Sequence, residues 1–139
     1  MDENGIPDAG RSHWRLFRVE ELFHKAVQHY RRGKSTIMCG VIYPHEIINC
    51  ADFDAELNLH YLLLRNSKAT FAKRVDERAA ADSAFEYLRK QKGDFVGALK
   101  HLQNEVVTQT RHFVLDSEKL GKRELVLSTV ALIRKIQTS

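Results

Sequence analysis

The fold class expected from this chain is all-α: one single-domain bundle of about five helices, stacked as antiparallel hairpins. Three observations lead there. Apolar residues recur at steps of three and four along most of the chain after residue 13. Helix breakers are scarce: of 139 residues two are proline and seven glycine, and Pro44 is the only proline beyond residue 7. Residues 84–106 also read as two amphipathic stretches meeting at Lys92-Gly93-Asp94, the local pattern of a helical hairpin.

The elements follow in order. Residues 1–12 hold Gly5, Pro7 and Gly10, lack periodicity and read as a flexible N-terminal tail, which leaves 13–139 as the helical domain. A first helix from His13 to Arg32 is expected from Leu16, Val19, Phe23, Ala26, Val27 and Tyr30, with Gly33 as its stop because glycine takes the left-handed conformation without a Cβ penalty. The β-branched stretch near 35–43 has no helical period and reads as a short extended segment. It is either a covered loop, the preferred reading, or a strand pairing with a second copy across a dimer axis.

Pro44 suits the first turn of a helix, where its missing N–H costs nothing. The second helix is expected from His45 to Arg65, on the strength of Ile48, Cys50, Phe53, Leu57, Tyr61 and Leu64, widened by Leu59, Leu62 and Leu63. Ser67 is placed to cap a third helix that carries Phe71, Val75, Ala79, Phe85 and Leu88 and stops at Gly93. A long fourth helix from Asp94 to Leu120 carries Phe95, Leu99, Leu102, Val106, Phe113 and Leu120. A fifth, from Arg123 to Gln137, follows Gly121 and carries Leu125, Val126, Val130, Leu132, Ile133 and Ile136.

Net charge of +4 permits an acidic or nucleic-acid partner without demanding one. Cys39 and Cys50 form no CxxC pair and read as reduced thiols of a cytoplasmic protein. The start of the chain lacks the basic and apolar regions of a secretory signal. No apolar run approaches the roughly 20 residues needed to cross a bilayer, so no membrane partner is expected.

Residues 84–106 resemble one tetratricopeptide-type unit, through Tyr87, Leu88, Gly93, Asp94, Phe95, Ala98, Leu99 and Leu102. The flanks do not repeat at the roughly 34-residue period of such arrays, so an ordinary helical hairpin remains the preferred alternative. The resemblance implies a protein-binding scaffold rather than an enzyme. Between the third and fourth helices a groove is expected, with Phe71, Tyr87 and Phe95 as anchors for a protein partner.

The first helix gathers Arg15, Arg18, Lys25, His29 and Arg32 in one broad sector, with Arg11 upstream, a layout able to meet phosphates. Leu22 interrupts it, Glu20 and Glu21 sit close by, and a solvated helix face explains it as well. Arg18-Val-Glu-Glu-Leu-Phe-His24 is similar to the Arg-x(4–6)-His pattern of helical ribonucleases of the HEPN type, except that Val19 replaces the usual polar residue. That resemblance implies Arg18 and His24 near a scissile phosphate at a dimer interface.

The seven histidines show no spacing of a four-ligand zinc site, and no nucleophile elbow or phosphate-cradling glycine loop is present. Neither a catalytic residue, a metal nor a cofactor is therefore expected. The function expected first is a small non-enzymatic regulatory or adaptor protein that binds another protein through a helical groove, as a homodimer. A nucleic-acid-binding regulator comes second and a HEPN-like ribonuclease third.

Overall fold

The computed structural model describes residues 11–138, which are mostly helical with one small sheet of two parallel strands. They form two compact units, one ending at Asn58 and the other beginning at Leu59. The expected tail over residues 1–10 lies outside the described residues, while Arg11 and Ser12 already belong to the first helix. Among the described residues no helix is long and apolar enough to cross a membrane.

In the first unit, α1 (Arg11–Arg31) buries Val19, Phe23 and Val27, one side chain per turn, as the periodicity predicts. Leu16 and Tyr30 of the same expected stripe are exposed. The helix ends in a Schellman arrangement: Gly33 at φ +76° donates to Tyr30 C=O and Lys34 to His29 C=O. Residues 35–43 carry no regular structure, as a loop would, but the loop is not covered: Ile37 is exposed, as are Ser35, Thr36, Cys39 and Gly40. Pro44 then opens α2 (Pro44–Ile48), whose entry is fixed by Glu46 accepting Tyr43 N–H at 3.1 Å.

The expected helix from 45 to 65 is corrected here, because α2 stops after little more than one turn. Short acidic side chains beyond it compete for the backbone: Asp54 Oδ1 accepts Glu56 N–H at 2.9 Å, an Asx turn. Glu20, reaching over from α1, accepts Ala51 N–H at 2.8 Å. The leucine run that suggested a helix apolar on all sides is instead β1 (Tyr61–Arg65) in the second unit. A short apolar run cannot be told from a buried parallel strand by period alone.

The second unit continues with α3 (Lys68–Ala81), capped by Ser67 Oγ accepting Thr70 N–H at 3.2 Å. After a 3-10 turn (Ser83–Phe85) come α4 (Glu86–Lys90), α5 (Lys92–Val106), β2 (His112–Asp116) and α6 (Lys122–Thr138). β1 and β2 pair in parallel with Leu63 opposite Val114, and three helices form the crossover between them. An all-α expectation must therefore admit a small parallel sheet.

Two further boundaries differ from the sequence reading. The helix expected to reach Gly93 ends at Asp82, where φ −146° and ψ 116° leave the helical region and the carboxylate accepts Ala84 N–H at 3.0 Å. Gly93 and Asp94 lie inside the first turn of α5, not in a turn between helices, so the tetratricopeptide-like Gly-Asp turn is not formed. The helix expected to reach Leu120 ends at Val106, since Phe113 and Leu120 satisfy a helical stripe only as multiples of seven; Phe113 lies in β2 and Leu120 beyond it. α6 matches the expected fifth helix in its bounds. The residues expected to be buried, Leu125, Val126, Val130, Leu132, Ile133 and Ile136, are not: none is buried, and Val126 and Val130 are exposed.

The core of this unit comprises Leu63 of β1, Val75 and Ala79 of α3, and Val96, Leu102 and Val106 of α5. α3 packs on α5, α5 on β1, and α6 on β2. No residue of α6 is buried.

The left-handed Gly33 gives a direct test of how α1 ends. A Cβ there meets no atom within 4 Å, so the cost of Gly33→Ala is conformational alone. Denaturant unfolding should show a loss of about 1–2 kcal/mol, whereas Gly97→Ala, in a helix interior, should gain about 0.5–1 kcal/mol.

Candidate functional site

An open cavity lies between α3 and α5, which cover the starts of the expected third and fourth helices. Ala69 and Ala72 lie one turn apart on α3, and Gly93 and Gly97 one turn apart on α5. With Val96 as floor and Lys68 and Lys92 alongside, they line an open cavity of about 450 Å³. A Cβ built on Gly93 or Gly97 meets nothing within 4 Å. Internal packing thus does not require these glycines, and their smallness leaves room above them. Lys92 Nζ is held by both oxygens of Asp76 at 3.1 Å, while Lys68 is exposed.

Of the expected anchors, Phe71 and Tyr87 do not line this cavity. Phe71 is half-buried on α3, Tyr87 is exposed on α4, and Phe95 lies in the first turn of α5 with its side chain outside the described residues. The residues missed were Lys68, Ala69, Ala72, Lys92 and Gly97. Their signal was present as Ala-x-x-Ala beside Gly-x-x-x-Gly, small residues at helical spacing, whereas attention went to the aromatics.

At the C-terminal ends of the two strands, where open parallel sheets often bind ligands, the protein occupies the position itself. Glu118 Oε1 accepts Ser67 N–H at 2.7 Å at the start of α3. Hydrogen bonds from Thr70 and Ser67, helped by the charge of Arg74, hold its carboxyl down at about 2. Behind it Ser117 Oγ donates to Asn66 Oδ1, and Gln103 Nε2 donates to Asn66 C=O at 3.2 Å. Asn66, Gln103 and Ser117 are all buried, and Gln103 Oε1 has no hydrogen-bond partner.

On α1 most of the predicted basic sector is already engaged. Arg15 binds Glu46 at 2.7 Å, donates to Val41 C=O and lies over the Tyr43 ring, so it anchors the loop before α2. Arg18 and Lys25 both pair with Glu21, at 2.7 and 3.2 Å. Arg32 is exposed just past the helix end, next to exposed Arg31 and Lys34. Arg11 is on the helix, with its side chain outside the described residues.

His24 was expected beside Arg18, but its partner is Asp52: Nδ1 lies 2.6 Å from Oδ2. The acid fixes the ring through Nδ1 and leaves Nε2 as the nitrogen available outside that bond. Near it, burial, then a hydrogen bond to Glu20 and the charges of Glu20, Asp52 and Glu46, push the Cys50 thiol up to about 12, so it is no nucleophile at neutral pH. Cys39 is exposed and both cysteines are free. Among the described residues no three His, Cys, Asp or Glu side chains are placed to hold a metal ion.

A family model, a curated relative and a similar solved structure were each sought for this chain, and none matches. The geometry is therefore the whole basis for a functional reading.

Glu118 supplies a pH test of the strand-end arrangement. Its carboxyl is lowered from 4.5 to about 2, so its contribution to stability is full above pH 4.5 and is lost as pH falls toward about 2. Thermal unfolding followed across that window should show a steeper loss for the native chain than for Glu118→Gln, which cannot titrate.

Proposed function

We propose that the protein is a small non-enzymatic regulatory or adaptor protein of the cytoplasm, and that it binds an amphipathic helix of a partner protein in the α3–α5 groove. The observation that carries this reading is the pair of glycines, Gly93 and Gly97, whose missing side chains no internal neighbour requires. Gly in a helix interior is destabilising by about 0.5–1 kcal/mol relative to Ala. Gly97 carries that cost in the interior of α5, on the wall of an open cavity, where a packed ligand helix would offset it. Small residues at one-turn spacing on both walls admit a helix at close range, by ridges entering grooves. Lys68 favours a ligand helix with an acidic residue on that flank, whereas Lys92 is already held by Asp76.

The reading requires neither cofactor nor metal. It is tested by filling the groove: Gly97→Leu should weaken binding of the partner more than tenfold, about 1.4 kcal/mol or more, with the melting temperature of the free protein little changed. Equal affinity for native and Gly97→Leu chains, measured by calorimetry, would remove the groove from consideration.

A second reading rests on one contact, His24 with Asp52. An acid that orients a histidine through Nδ1 is the arrangement of a general base, with Nε2 turned to the reacting proton. Joined to the basic residues of α1, it supports a nucleic-acid-binding surface, and in its strongest form a ribonuclease. Arg18 would have to leave Glu21 to meet a phosphate, which ranks this reading behind the first. If it holds, His24→Ala lowers RNA cleavage by a hundredfold or more, in the range of a lost general base, and Asp52→Asn lowers it less.

A further inference from the structure

The two-stranded sheet is unfinished at β2, and the sequence of β2 is complementary to itself. Tyr61 N–H donates to Arg111 C=O at 3.0 Å, and Ser117 N–H donates to Arg65 C=O at 3.1 Å. With the parallel register, these bonds turn the main-chain groups of the odd-numbered residues of β2 toward β1. His112, Val114 and Asp116 turn theirs to the opposite edge. There Asp116 C=O is taken by Lys119 and Leu120 N–H. The N–H and C=O of His112 and Val114 and the N–H of Asp116 find no hydrogen-bond partner among the described residues. All five residues of β2 are half-buried, none fully.

We infer that β2 is the interface with a second copy of this chain, pairing antiparallel with the partner's β2 across a two-fold axis at Val114 to make a four-stranded sheet. In that register Val114 exchanges both main-chain bonds with the partner's Val114, and Asp116 N–H reaches the partner's His112 C=O in each direction. The side chains agree with it. His112, whose Nδ1 bonds Gln109 C=O and leaves Nε2 outside that bond, stands opposite the partner's Asp116. The Asp116 carboxylate already meets Arg65 and accepts Glu118 and Lys119 N–H, so this pair adds to an existing network. Phe113 stands opposite the partner's Leu115 and Val114 opposite itself. Opposite polarity at both ends and apolar pairs between are what an isologous strand contact needs.

The other free edge offers no such match, since Arg65 is the only charged residue of β1. Strand pairing alone buries little area. The helix that packs on β2 supplies more: α6 has no buried residue, and Val126, Leu127 and Val130 are 56%, 60% and 39% exposed. A two-fold axis normal to the sheet sets the two α6 helices side by side on one face. This inference is independent of the α3–α5 groove.

The test is sedimentation equilibrium on the whole chain over a range of concentration, with three variants. The native chain should give a dimer that dissociates on dilution. Val114→Pro removes only an outward N–H, which an edge strand tolerates, and should give a monomer with unchanged helical circular dichroism. His112→Glu sets like charges opposite each other and should raise the dimer dissociation constant at least tenfold. In a Cys39→Ser background, Phe113→Cys mixed with Leu115→Cys should form a mixed disulfide under mild oxidation, because directly opposed residues of a non-hydrogen-bonded pair lie about 4.5 Å apart at Cα. A native chain that is monomeric at every concentration overturns the inference. So does a dimer that survives both Val114→Pro and His112→Glu, or one that forms without the mixed disulfide.

Discussion

The second unit depends on the parallel pairing of β1 with β2, a contact between segments far apart in sequence. Asn66 and Ser117, which meet just past the strand ends, are 51 residues apart. Two strands alone make a marginal sheet, and closing so long a connection costs entropy that strand bonds must recover. The pairing is accordingly clamped where the strands end. Arg65 reaches Asp116 at 3.4 Å, Ser117 returns its hydroxyl to Asn66, and Glu118 takes Ser67 N–H. Gln103 adds α5 to the same cluster through Asn66 C=O. One end of the sheet thus fixes the start of α3 and the lie of α5, and with them the two walls of the groove.

That clamp also has a chemical consequence. The N-terminus of a helix following a strand is a ready anion site, because its free N–H groups and dipole favour negative charge. Here the anion is supplied internally. Glu118 accepts the N–H of Ser67, which caps α3, with its carboxyl held far below the ordinary range, so a phosphate would have to displace a well-bonded carboxylate. Arg15, Arg18 and Lys25 repeat the pattern on α1, each carrying an acidic partner already. Exposed pairs such as those of Glu21 contribute only about 0–1 kcal/mol each, so they restrain these side chains without locking them. The Arg15–Glu46 contact differs, since Glu46 is buried and also caps the entry to α2.

Legibility in the sequence followed the range of the interactions involved. Gly33, Pro44 and Ser67 act within a few residues, and each does what its local chemistry predicts. α1 and α6 were readable because their apolar stripes run long enough to exclude a strand. β1 and β2 were not, and for one reason: Leu62-Leu63-Leu64 and Phe113-Val114-Leu115 are short apolar runs that fit inside a helical stripe when the neighbours are periodic. Only the long-range partner decides between the two states, and no window of local sequence contains it. The groove lay between these cases. Its walls were anticipated, but its lining was sought among the aromatics.

The glycines of α5 show how a wrong boundary still carried the right information. Gly93 was read as the end of a helix, where glycine is favoured for its backbone freedom. It stands instead inside the first turn of α5, at ordinary negative φ, where that freedom is not used. A glycine that neither turns the chain nor admits an internal neighbour has given up helix propensity for space alone. Gly97 repeats this one turn on, and Ala69 and Ala72 face it from α3. The two helices pack through Val75, Ala79, Val96 and Leu102 at depth, while Ala69, Ala72, Gly93 and Gly97 lie beside Lys68 and Lys92 along the open cavity between them. The packing of α3 on α5 therefore does not itself account for the glycines on that wall.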